Sequence, residues 1–312
     1  MKNTINAAIF LTRITYKDMP NAYSLHVGVN DYDVNIYPES VNRLTGCIND
    51  MKAMAQMAVT MGIPRSNSKV LANATLQQLS GSFLEFSDLA KPGDFFLFTF
   101  AGHGIQKPEP NPGVEPDRLN EHICLRNGVM VDDDINYYLS LFPDKVEIVC
   151  LFDSCHSGSA IWMVRFSTRP AGSNVGDAEA VISTATPRAL TEWETTAVYQ
   201  NSQGRVATAR TAIRSLPAIG LSMSACGDGP HELAYEENGR GLFTQAVEAT
   251  YYQGQYRENY ITFWKGVRHW LNQNHPGKQF PTYLPFPSIH ETDNKAFITT
   301  YPAFSLSVNA DS

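Results

Sequence analysis

Apolar and polar positions along this chain fall into blocks that switch between two periods. Tyr23–Val29 (YSLHVGV) is a short apolar run of strand length, and Gly46–Met61 follows the helical period, with apolar residues at Ile48, Met51, Ala55 and Ala58 or Val59. A short strand is predicted near Lys69–Ala72. The next block, Thr75–Leu89, is an amphipathic helix with Leu76, Leu79, Phe83 and Phe86 on one face, ending before the turn cluster KPGD. Asp94–Ala101 (DFFLFTFA) is the strongest strand signal in the chain. Beyond a Pro-rich loop at Lys107–Asp117, HICLRNGVMV predicts a hairpin turning at Asn127-Gly128. A helix starts at Asp132–Asp134, where carboxylates favour an N-terminus, and leads to the strand Val146–Phe152.

Between residues 159 and 217 the pattern dissolves into Ser, Thr, Ala, Gly and Pro. It resumes with a buried strand at Ala218–Ala225, helices at Gly241–Tyr252 and Thr262–Asn274, and a strand-like piece near Phe280–Phe286. The β-α-β-α rhythm predicts an α/β fold with a mostly parallel central sheet and helices on both faces. We divide the chain into an N-terminal extension (1–22), a first half (23–158), a flexible linker (159–217) and a second half of the same domain (218–312). Active sites in such sheets lie beyond the carboxyl ends of the strands. Two of those ends carry reactive groups, AGHG after Phe95–Phe100 and DSCHSG after Val146–Phe152.

The 312 residues are 43% apolar and 18% charged, as in ordinary globular domains. A net charge of −7, from 24 basic and 31 acidic residues, offers no footprint for nucleic acid or an anionic membrane surface. The apolar patch Ala7–Leu11 is too short for a secretory leader, and no segment approaches the ~18 apolar residues of a membrane span. Five scattered cysteines (47, 124, 150, 155 and 226) argue against a disulfide framework and for a reducing cytoplasm.

A thiol, an imidazole and flanking glycines at neighbouring strand ends suit nucleophilic catalysis. Cys155 lies just past its strand among polar residues, unlike Cys47, Cys124 and Cys150, which sit in apolar patterns and read as small buried hydrophobes. His103 is the expected base. His156 adjoins Cys155, but adjacent side chains of an extended segment point apart. The backbone N–H groups of Gly104 and Cys155 are the expected oxyanion donors. A phosphatase loop would need Arg where Ile161 stands, and zinc would need paired cysteine spacing that is missing.

The set LHVGVNDY, LTGCINDMKAM, FTFAGHG, VDDDI, LFDSCHSG and SACGDGPHELAYEENGRGLFTQAV resembles the caspase-like cysteine peptidases, on the metacaspase and bacterial orthocaspase branch. The resemblance runs from about Tyr23 to Tyr252, apart from the linker. It implies a caspase-like sandwich, with residues 23–158 and 218–312 as large- and small-subunit-like halves. It also implies a Cys155–His103 dyad and protein or peptide substrates cut after Arg or Lys, with Cys47, Asp50 and Asp153 at the substrate pocket. A carboxylate pair holds guanidinium through charge-assisted, often bidentate bonds. The alternatives are a catalytically silent scaffold, or a clan relative whose pocket differs.

Two positions depart from the family. Ala101 stands where metacaspases usually have Ser, and Trp162 stands where calcium-activated members have an acid. Asp132 and Asp133 are the weak calcium candidates, and no cofactor is required by this reading. The family's linker is commonly cleaved on activation. Here residues 159–217 hold Arg165, Arg169, Arg188, Arg205, Arg210 and Arg214 and no Lys. We expect these arginines to be exposed, and a zymogen activated by cleavage among them, by the enzyme itself or by an upstream protease.

Overall fold

The computed structural model describes residues 20–108, 119–155, 185–201, 215–227 and 233–306. In chain order its elements are β1 (Ala22–Gly28), α1 (Cys47–Met61), β2 (Ser68–Ala72), α2 (Leu76–Leu89), β3 (Phe95–Ala101), β4 (Gly104–Pro108), β5 (Leu119–Leu125), β6 (Gly128–Val131), α3 (Asp132–Ser140) and β7 (Glu147–Asp153). There follow β8 (Thr186–Pro187), α4 (Glu192–Asn201), β9 (Ile219–Ser224), β10 (Tyr235–Glu237), β11 (Arg240–Gly241), α5 (Leu242–Tyr251), α6 (Tyr260–Asn274), β12 (Thr282–Pro285) and α7 (Glu291–Thr299).

The main sheet has the order β12-β9-β7-β3-β1-β2, parallel except for β12. Its central strands are buried almost throughout and mostly apolar because both faces are covered. On one face Phe96, Phe98 and Phe100 of β3 pack with Leu79, Phe83 and Phe86 of α2 and with Ile135 and Leu139 of α3. On the other, Leu97 of β3 and Val149 and Leu151 of β7 pack with Met54 and Ala58 of α1 and Phe243 and Val247 of α5. Leu271 of α6 and Phe297 of α7 extend that layer. This is the expected α/β sandwich.

Helix α2 starts with a capping box between Thr75 and Gln78, and α1 stops at Gly62 in the left-handed conformation. The β5–β6 turn is Arg126–Asn127, one residue earlier than expected, because Leu125 pairs with Gly128. The larger difference lies in the linker. Residues Ala185–Asn201 are not structureless: β8 pairs with β10 and α4 buries Val198 in the α2–α3 core. The apolar pattern fails there because β8 is only two residues long and α4 docks largely through polar groups. Among the described residues no helix is long and apolar enough to cross a membrane.

Glu147, at the start of β7, has its pKa raised by burial to about 7. A carboxyl raised in the folded state stabilises below its unfolded pKa and loses that contribution as pH rises through about 7. Glu147→Gln is therefore expected to raise stability at pH 8, by up to about 3 kcal/mol, and to change it little at pH 4. Urea unfolding at the two pH values measures this.

Candidate active site

Strand register brings the two reactive ends together. Ala101 of β3 pairs with Asp153 of β7, so His103 and Cys155 each lie two residues beyond a paired position. The approach is close enough that a Cβ on Gly104 would overlap the carbonyl oxygen of Cys155. His103 is fully buried. Its backbone N–H donates to the Tyr32 hydroxyl at 3.0 Å, and its Nε2 lies 3.0 Å from the Val41 carbonyl oxygen. A carbonyl only accepts, so Nε2 carries the proton and Nδ1 is left bare; no hydrogen bond reaches it. Burial, helped by the charge of Arg43, lowers the His103 pKa to about 3 and keeps the ring neutral.

The Cys155 thiol is also buried, and its hydrogen bonds run to Ala234. Sγ accepts from the Ala234 N–H at 2.9 Å and donates to the Ala234 carbonyl at 3.4 Å. The thiol and imidazole are neighbours through the backbone without a hydrogen bond between them. Chemically a thiol can serve as a nucleophile and a neutral imidazole as a base.

Asp50 and Asp153 do converge. Asp50, in the first turn of α1, accepts from the Gly241 N–H and from Arg240 Nε at 3.0 Å. Asp153, the last residue of β7, accepts from both the backbone and hydroxyl of Thr244, at 2.9 and 2.7 Å. Burial raises the Asp153 pKa to about 6. Ala101 lines the small void below the two carboxylates, with Met51, Phe243 and Thr244. Cys47 is buried beside them, its thiol pKa pushed up by burial, and its Sγ lies 4.0 Å from Glu236 Oε2.

The space between these acids is filled by Arg188, which corrects the expectation that the linker arginines are exposed. Its guanidinium is fully buried, because the carboxylates outweigh the loss of water. Nη2 lies 2.5 Å from Asp50 Oδ2 and 3.4 Å from Glu236 Oε2. Nη1 lies 3.1 Å from Asp153 Oδ1 and donates to the Asp153 carbonyl at 2.9 Å. Burial opposes the charge of Arg188, yet Asp153 and the other anions hold its pKa well above the usual value. Its backbone is held too. The Arg188 N–H donates to the Ala234 carbonyl at 2.9 Å, and its own carbonyl accepts from the Gly104 N–H at 3.2 Å.

The sequence reading missed Glu236, although it lies inside the quoted motif ELAYEENGRGLFT. Glu236 also accepts from the backbone of Thr45 and Gly46, so it ties β10 to the loop before α1. Thr244, at the end of the same motif, was missed as well, as were Arg43 and Val41, which lie in no motif. Arg165, Arg169, Arg205, Arg210, Arg214, His156 and Trp162 lie outside the described residues. Asp132 and Asp133 open α3, where the Asp132 carboxylate accepts from the Asp133 N–H at 2.9 Å. Among the described residues no three His, Cys, Asp or Glu side chains gather as a metal site would need.

Residues 23–163 match the family "Metacaspase, peptidase C14 domain". Metacaspase-2 of Trypanosoma brucei brucei is 30% identical over 151 residues, 44% of this chain and 41% of that one. Metacaspase-1A of Aspergillus oryzae is 32% identical over 152 residues, 44% of this chain and 35% of that one. The matched stretch thus spans less than half the length of these curated relatives. A protein of Geobacter sulfurreducens, in its crystal structure, shares the fold with a TM-score of 0.69 and 24% identity, over 91% of this chain and 98% of that one. Over residues 23–163, then, this chain is similar to the caspase-like proteins of metacaspase type.

Two glycine substitutions are expected to act in opposite directions. Gly104→Ala forces a methyl onto the Cys155 carbonyl and is expected to destabilise by about 1–3 kcal/mol. Gly81→Ala, within α2 and facing open space, is expected to stabilise by about 0.5–1 kcal/mol. Denaturant midpoints of the two variants against the parent check both signs.

Proposed function

We propose that this metacaspase-type chain is a cysteine endopeptidase that cleaves after arginine and rests with its own Arg188–Ala189 bond across the cleft. The observation that carries this is the posture of Arg188. Side chain, N–H and carbonyl are each held by a group that a peptidase would use on substrate. The strand before it, β8, adds antiparallel to β10, a common way to bind an extended peptide.

In this mechanism Asp50, Asp153 and Glu236 hold the arginine ahead of the scissile bond. Cys155 Sγ attacks its carbonyl carbon, and His103 Nδ1, the bare nitrogen, takes the thiol proton. The N–H groups of Gly104 and Cys155 receive the oxyanion. The imidazolium then gives its proton to the leaving amine, and water hydrolyses the thioester. Arginine is preferred over lysine because a planar fork spans carboxylates on α1, β7 and β10, which a single ammonium cannot.

The same contacts explain a resting state. The thiol is hydrogen-bonded to Ala234 and the imidazole is neutral and unengaged, so the segment Ala185–Asn201, the strap, occupies the cleft before the dyad is assembled. Cutting at Arg188–Ala189 is the activating step of this reading. The remaining linker arginines stay as further candidates.

The test compares the parent chain with Cys155→Ala on reporter peptides ending in Arg, Lys or Asp. Arginyl cleavage is expected to exceed lysyl cleavage, with none after Asp and none in the variant. Activity that survives Cys155→Ala, or that favours Asp, overturns the assignment. Arg188→Ala is expected to abolish cutting at that bond and to remove any lag in arginyl hydrolysis; an unchanged lag would show that the strap is not inhibitory.

A further inference from the structure

The contacts on the other side of the Arg188–Ala189 bond belong to no part of the dyad or the arginine pocket. Arg43, in the loop before α1, donates through Nη2 to the Ala189 carbonyl oxygen, one residue beyond the bond. Its Nη1 donates to the Ser40 carbonyl at 2.9 Å and to Glu194 Oε1 at 2.8 Å. Ser40 Oγ donates to the same carboxylate oxygen at 2.6 Å. The Arg43 side chain is 27% exposed and that of Glu194 only 4%.

Glu194 is the third residue of α4. Its second oxygen accepts from the Thr191 N–H at 2.8 Å, while Thr191 Oγ1 accepts from the Glu194 N–H at 3.2 Å. Together they form a capping box, which presents the carboxylate at a fixed place on the helix end. Burial alone would raise the Glu194 pKa, but Ser40, the Thr191 N–H and Arg43 together lower it to about 2. With the strap withdrawn, Arg43 and Ser40 lose their shared acceptor. What remains is a guanidinium, tethered to Ser40, and a hydroxyl, both aimed at where a carboxylate sat.

We infer that Ser40 and Arg43 form a carboxylate-binding subsite on the leaving-group side of the cleft. It takes substrates whose Arg–Xaa bond is followed by a short capped helix with an acid at its third position, and in the resting chain α4 fills it. The orientation of the subsite rests on the proposed peptidase reading; the binding of the helix does not. Arg43 acts here as a positioning residue, holding the carbonyl after the cut and the carboxylate beyond it.

The experiment uses the full chain carrying Arg188→Ala and Glu194→Gln, which loosens both holds on the strap. The probe is a fluorescein-labelled peptide ALTEWETTAVYQN (residues 189–201), or the same peptide with Gln at the position of Glu194. Fluorescence anisotropy is expected to show the Glu peptide binding about tenfold more tightly than the Gln peptide, the scale of a charge-assisted hydrogen bond. Adding Arg43→Gln to the protein is expected to erase that difference, and Arg43→Lys to restore part of it. Equal binding of the two peptides, or binding of neither, overturns the subsite. A longer peptide beginning ahead of Arg188 separates the two readings. Selective binding without cleavage keeps the subsite and removes the peptidase; cleavage that ignores the Glu-to-Gln change does the reverse.

Discussion

A guanidinium without water must be surrounded by anions, and in this protein that requirement joins three pieces of chain. Asp50 comes from α1, Asp153 from the end of β7 and Glu236 from β10, and all three meet on Arg188. Arg240 adds a second cation at the rim, bonded to Asp50 and Glu248. With Arg188 in place two cations face the three buried carboxylates; without it, only the partly exposed Arg240 does. Removing one partner from such a buried set typically costs about 3–5 kcal/mol. The cluster therefore demands a cation, and the chain supplies its own.

The seating of Arg188 and the hydrogen bonding of the Cys155 thiol share one backbone neighbour. Ala234 lies between them: its carbonyl takes the N–H of Arg188 and its N–H takes the thiol of Cys155. Seating the strap and engaging the thiol thus use the same backbone unit. On the opposite side, Val41 fixes which nitrogen of His103 is free, while Tyr32 holds the residue's main chain. The Cys155 thiol and the His103 ring are held by main-chain contacts, which leave little mark in the side-chain pattern.

This explains what was legible in the sequence. The long strands, α1, α2 and α3 follow from apolar period, because large buried faces dictate them; the pairing of Asp50 with Asp153 was implied only by the resemblance to the caspase-like peptidases. The linker was legible only as an absence of period. Yet it carried a signal passed over: Thr191 followed three residues later by Glu194 is a capping-box pattern, and α4 begins there. β10 and β11 are too short to register, so Glu236 stood unassigned within a motif that was otherwise read. Arg188 looked like its five neighbours in composition. Only tertiary structure separates it from them.

The antiparallel addition of β8 to β10 also sets a grammar for recognition. Side chains of an extended peptide point alternately to opposite faces, so Thr186 and Pro187 of β8 turn to opposite sides. Proline, which offers no N–H, is tolerated opposite Tyr235 because the Tyr235 N–H bonds to Gln279 and not to β8. An enzyme reading peptides in this register inspects every second residue. Under the proposed arginine-directed reading, the residue before the arginine is free to drift in sequence, so targets would share a spaced signature rather than a contiguous word.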